Sequence, residues 1–113
     1  MQISAAQRAE QARIASQLAE VGFVLPGSLA ERRLRCSHPG CHCHDEEPQL
    51  HGPYWYLTRK VAGKTVTKML APDQAVEYRA LIENGRRLRG LVRELEDLGL
   101  SILEGDSRTP RRR

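Results

Sequence analysis

Residues 54–70, Tyr54-Trp55-Tyr56-Leu57-Thr58-Arg59-Lys60-Val61-Ala62-Gly63-Lys64-Thr65-Val66-Thr67-Lys68-Met69-Leu70, decide the fold. Tyr54 to Val61 is rich in aromatic and β-branched side chains, and Thr65 to Leu70 returns with a similar pattern. Between them Ala62-Gly63 offers a two-residue hairpin turn, with glycine free to take positive φ. Such a turn sets residues 61/64, 59/66, 57/68 and 55/70 opposite one another on one face. That face carries Trp55, Leu57, Val61, Val66 and Leu70, together with Arg59, Lys64 and Lys68. The other carries Tyr54, Tyr56 and Met69, then Thr58, Thr65, Thr67 and Lys60. Upstream, Ser28 to Arg35 is a candidate third strand, though its alternation is poor.

Between that strand and the hairpin lies the segment Cys36 to His51, which holds all three cysteines and all four histidines of the chain. Ser37 to Leu50 contains one large apolar side chain, Leu50, so hydrophobic burial cannot hold it. A structureless loop of this length is uncommon in a compact domain. Cys36 ends the first strand and His51 precedes the second, so antiparallel pairing brings both to one end of the sheet. Cys41 and Cys43 can fold back between them, with Pro39-Gly40 supplying a turn. The result is a Cys3His set, a tetrahedral zinc-binding combination. Thiolate and imidazole suit Zn(2+), whereas an electron-transfer cluster normally takes four thiolates. His38, His42 and His44 compete for the fourth position; His51 ranks first because it is fixed to the sheet. Unligated cysteines with surface histidines, or a redox-sensing thiol trio, are the alternatives.

Further out, Ser4 to Val21 reads as a helix with Ser4 as its N-cap and an apolar stripe at Ile14, Leu18, Val21 and Leu25. Ala71-Pro72-Asp73 starts a second, long helix. Its apolar positions Leu88, Leu91, Leu95, Leu98 and Ile102 step by 3, 4, 3 and 4, a coiled-coil-type seam, with Asn84 at a seam position. Gly85, Gly90 and Gly99 each cost about 1 kcal/mol relative to Ala, which packing must offset. The chain thus reads as an α+β protein. It comprises an N-terminal helix at 1–25, a zinc-stapled three-stranded antiparallel β-meander at 27–70, a long C-terminal helix at 72–104 and a basic disordered tail at 105–113.

The formal charge is +4, but the 14 acidic side chains all precede Arg108 and are matched there by as many basic ones. The excess sits in Arg108, Arg111, Arg112 and Arg113, so overall basicity says little about the body. Five aromatic side chains in 113 residues make a small core, and small cores gain from a metal staple. Three cysteines cannot complete a disulfide framework. No apolar run approaches the roughly 20 residues a bilayer demands, and no signal-peptide core opens the chain, which together lead us to expect a cytoplasmic protein.

Gly27-Ser28-Leu29, Arg35-Cys36, Pro39-Gly40-Cys41-His42-Cys43, His51-Gly52-Pro53-Tyr54 and Gly63-Lys64-Thr65 together resemble the core of a prokaryotic family of small uncharacterised proteins. Its members are similar in having these motifs followed by a long charged helix, and the resemblance runs over about residues 27–103. It implies that Cys36, Cys41, Cys43 and His51 are the metal positions, and it carries no activity with it.

For function, the leading expectation is a non-enzymatic nucleic-acid-binding module, chiefly for DNA, accessory to a mobile-element or recombination system. Arg33, Arg35, Arg59, Lys60, Lys64 and Lys68, with Arg32, supply the charge for phosphates, and Tyr54, Trp55 and Tyr56 could stack on bases of DNA or RNA. The alternative is an adaptor that forms a homodimer or binds a partner protein through Leu88, Leu91, Leu95, Leu98 and Ile102. The chain offers neither a Ser-His-Asp arrangement nor a phosphate-cradling glycine loop, so no enzyme is expected.

Overall fold

Ala62 and Gly63 both take positive φ, 50° and 79°, and fold His51–Val61 onto Lys64–Leu70 as an antiparallel hairpin. Its register pairs Val61 with Lys64, Arg59 with Val66, Leu57 with Lys68 and Trp55 with Leu70, as the turn predicts. The computed structural model describes residues 1–110 and orders the elements as α1 (Ala5–Ala19), β1 (Ser28–Leu34), β2 (His51–Val61), β3 (Lys64–Leu70) and α2 (Pro72–Glu104). The three strands lie in the order β1-β2-β3, all antiparallel. This is the α+β architecture of an N-terminal helix, a three-stranded meander and a long C-terminal helix that the sequence predicts.

The chain divides into two compact units. One spans Leu25–Glu83 and holds the sheet and the first turns of α2. Its core is Leu57, Leu70 and Ile82, joined by Leu25, Leu29 and Trp55. All the strand residues in this core lie on the face of β2 that carries Trp55 and Leu57, because side chains alternate along a strand. The guanidinium of Arg79 stands over the Trp55 ring, 5.0 Å from its centre. The opposite face, with Tyr54, Tyr56 and Met69, has no such apolar cluster, and Met69 is 58% exposed.

The other unit joins Met1–Val24 to the chain from Asn84. Ser4 caps α1 through a reciprocal pair, its hydroxyl accepting from the Gln7 amide at 3.0 Å while Gln7 Oε1 accepts from the Ser4 amide at 2.9 Å. Ile14, Val21 and Leu91 are buried together, with Leu18, Leu88 and Leu95 packed around them. Part of the predicted seam, Leu88, Leu91 and Leu95, is therefore engaged with α1 of the same chain. An outside helix would have to displace α1 to reach it. The side-chain amide of Asn84 donates to the Phe23 carbonyl at 2.9 Å and secures the segment that follows α1. Gly90 and Gly99 are not packed against anything: a Cβ at either would meet no atom within 4 Å. Of the predicted basic tail, Arg111, Arg112 and Arg113 lie outside the described residues, and Arg108 pairs with Asp106. Among the described residues no helix is long and apolar enough to cross a membrane.

Candidate metal centre

Leu34, the last residue of β1, pairs with His51, the first of β2. Cys36 follows two residues later, so the chain enters the connecting loop beside the residue at which it returns. The loop is organised by short-range turns rather than by burial. The Cys41 amide donates to the His38 carbonyl at 3.1 Å across Pro39-Gly40, and His42–His44 form one turn of 3₁₀ helix. The amides of His44 and Gln49 then donate to the carbonyls of Cys41 and His42, which draws the far side of the loop inward.

These turns place four donor atoms together. The Sγ atoms of Cys36, Cys41 and Cys43 and a ring nitrogen of His51 all lie within 4.8 Å of one another. Cys36 Sγ is 3.6 Å from Cys43 Sγ, and Cys41 Sγ is 3.3 Å from His51 Nε2. Ligands at zinc–sulfur and zinc–nitrogen bond lengths on a tetrahedron would be separated by about 3.4–3.8 Å; these two pairs stand near that spacing, and the four donors lie close enough that they could share one ion. The sulfur separation is far longer than the ~2.05 Å of a disulfide, and all three cysteines are free. Cys43 is fully buried and its Sγ accepts from the Cys36 amide at 3.4 Å. A hydrogen bond with the His38 backbone draws the Cys36 thiol below its ordinary pKa. Burial pushes the Cys43 thiol the other way. A dication amid three sulfurs would supply the charge that a buried thiolate lacks.

The remaining histidines take different places. His44 Nε2 lies 2.7 Å from the Cys36 carbonyl, so that nitrogen carries the proton and donates. His44 thereby ties the 3₁₀ turn to the end of β1, a function no spacing rule in the sequence announces. His42 Nδ1 is 3.9 Å from Cys41 Sγ, and its ring stacks obliquely near His51, with centroids 5.7 Å apart. His38 is exposed and contributes its carbonyl to the turn. Gly52 fixes the ligand beside it: its φ is +122°, and a Cβ there would fall 2.9 Å from the Arg32 carbonyl oxygen.

The predicted nucleic-acid set is dispersed. Arg59, Lys64 and Lys68 share the strand face of Leu57 and Leu70, while Lys60 lies on the opposite face. Arg33 sits where the β1–β2 register shifts, and Arg35 lies beyond the strand, both exposed. Among the strand cations Arg32 meets an aromatic ring, its guanidinium standing 5.5 Å from the Tyr56 ring centre. Arg32 pairs with Tyr54 and Ala30 with Tyr56, so these side chains share the face opposite the core. The register of β1, once aligned, would have singled it out.

No curated protein and no solved structure matches the chain. A family model does match, over residues 3–80, a span that contains α1, the whole sheet and all four donor residues. The sequence resemblance began only at residue 27 and ran to the end of α2; the match takes in α1 and stops within α2. The chain belongs to the family described as a domain of unknown function, DUF6788.

Proposed function

We propose that the protein is a zinc-stabilised, non-enzymatic module that binds nucleic acid, DNA foremost, on the open face of its sheet. Cys36, Cys41, Cys43 and His51 would hold the ion, and its contribution is a cross-link between the loop and the ends of β1 and β2. Four protein donors fill a tetrahedral shell, leaving no position for a reacting water. That supports a structural role over a catalytic one.

The observation that carries the binding reading is the face opposite the core. Tyr54 and Tyr56 stand there beside Arg32, Lys60 and the hydroxyls of Thr58 and Thr67. Aromatic rings combined with cations and hydroxyls suit stacked bases and phosphates, and sheets are an established platform for both. An apolar face would instead have argued for a protein partner.

Fluorescence anisotropy with short duplex and single-stranded oligonucleotides, across a salt series, tests this. Binding should weaken steeply with salt and fall about tenfold in Tyr56→Ala, in line with the cost of losing one base–aromatic stack. Absence of binding at low salt overturns the reading.

A further inference from the structure

β2 outruns β1. Ser28 pairs with Thr58, and beyond that point Arg59, Lys60 and Val61 pair with β3 alone. The chain entering β1 crosses this uncovered stretch closely. Gly27 has φ +124°, and a Cβ there would lie 2.6 Å from the Thr58 carbonyl oxygen and 3.3 Å from Arg59 Cβ. Between the two segments a cleft of about 390 Å³ is lined by Pro26, Ser28, Thr58, Arg59, Lys60 and Thr65, with the Gly27 backbone.

The chemistry of that lining is one-sided. It offers a guanidinium, an ammonium and three hydroxyls, and no carboxylate. Arg59 Nη1 is shielded from solvent and has no hydrogen-bond partner, the single side-chain polar atom so placed among the described residues. No ion pair among the described residues involves Arg59. Arg59 as a whole is only partly buried, but a shielded donor left unmet is unfavourable, and an anion with several acceptor oxygens at the guanidinium would relieve it. A guanidinium fork matches a phosphate group, and hydroxyls can satisfy the oxygens that remain.

We infer that the cleft between Gly27 and Arg59 is a binding site for a phosphate group. It lies at the sheet edge between the two faces: Thr58, Lys60 and Thr65 share the face of Tyr54 and Tyr56, and Arg59 reaches it from the face of Leu57. The phosphate could belong to a nucleic-acid backbone, which rests on the reading above, or to a free phosphate species, which does not.

The experiment is NMR titration of the zinc-loaded full chain with inorganic phosphate at constant ionic strength, with chloride as the control. Saturable shifts are expected at the amides of Gly27, Ser28, Arg59, Lys60 and Thr65, weakened about tenfold in Arg59→Gln. Arg59→Gln should also weaken oligonucleotide binding and reduce the slope of log K against log salt by about one. Should Arg59→Gln lose the fold, Lys60→Gln and Thr65→Val, both at exposed positions, provide the same comparison. Saturable phosphate shifts without any oligonucleotide binding would uphold the cleft as a site for free phosphate species and overturn the nucleic-acid reading. Shifts that fail to saturate, or that chloride reproduces, overturn the inference whatever happens with oligonucleotides.

Discussion

Leu34 and His51 form the terminal pair of the β1–β2 ladder, and this pairing brings a thiol and an imidazole to the same sheet end. Cys36 and His51 are fifteen positions apart in the chain, yet the sheet itself determines their proximity. Cys41 and Cys43 depend on the turns of the loop for their positions, and Cys36 on its short reach from the last β1 residue. The candidate metal site therefore has one donor, His51, fixed by backbone pairing, a second, Cys36, held two residues past the end of β1, and two delivered by turns.

The purified protein should contain one zinc per chain by elemental analysis. Cys41→Ser and His51→Ala should each lose it, with the loop amides becoming exchange-labile while the helical signal of α1 persists. Full zinc retention in His51→Ala would transfer the fourth position to another histidine.

His44→Ala should weaken zinc affinity by about tenfold, because it removes the bond that anchors the Cys36 carbonyl without removing a ligand. His38→Ala should leave affinity unchanged. Competition with a chromogenic chelator measures both, and equal effects would dismiss the anchoring role of His44.

Gly52→Ala should destabilise the fold by about 2 kcal/mol or more, since a non-glycine residue is strained at this φ and its Cβ meets the Arg32 carbonyl. The same change should loosen zinc by displacing His51. Chemical denaturation with and without zinc gives both numbers; a neutral substitution would show that the backbone here can adjust.

Leu57→Ala should cost about 3 kcal/mol through the cavity left beside Leu70 and Ile82, whereas Met69→Ala on the open face should cost little. In the helical unit, Gly90→Ala and Gly99→Ala should each raise stability by about 0.5–1 kcal/mol, as a methyl group enters open space on a helix. Thermal unfolding of the zinc-loaded protein compares all four.

The hairpin was legible because a two-residue turn fixes register and register fixes faces. Cys36, Cys41, Cys43 and His51 could be picked out for a related reason, since strand ends constrain where a loop can close. The start of β2 was not legible: Gly52-Pro53 reads as a breaker, so the sequence places the strand start at Tyr54. The chain instead accommodates both residues within β2 and begins it at His51. The poor alternation of β1 has its cause in the register shift between Arg32 and Leu34, which no local pattern reveals. The same period of two divides the basic residues of the hairpin between its faces, Arg59, Lys64 and Lys68 on one and Lys60 on the other. A heptad position for Asn84 says nothing of its partner, the Phe23 carbonyl, which lies far off in the sequence.

A three-stranded sheet in the order β1-β2-β3 has two outer strands, and each presents a row of backbone groups to any other strand that comes near. Here β1 carries Glu31, Arg32 and Arg33 and bulges at Arg33, while β3 carries Lys64 and Lys68. Charges and a bulge at such positions discourage one molecule from adding its strands to the next. A metal-stripped chain, even with its loop released, would consequently resist sheet-to-sheet aggregation better than its small core suggests.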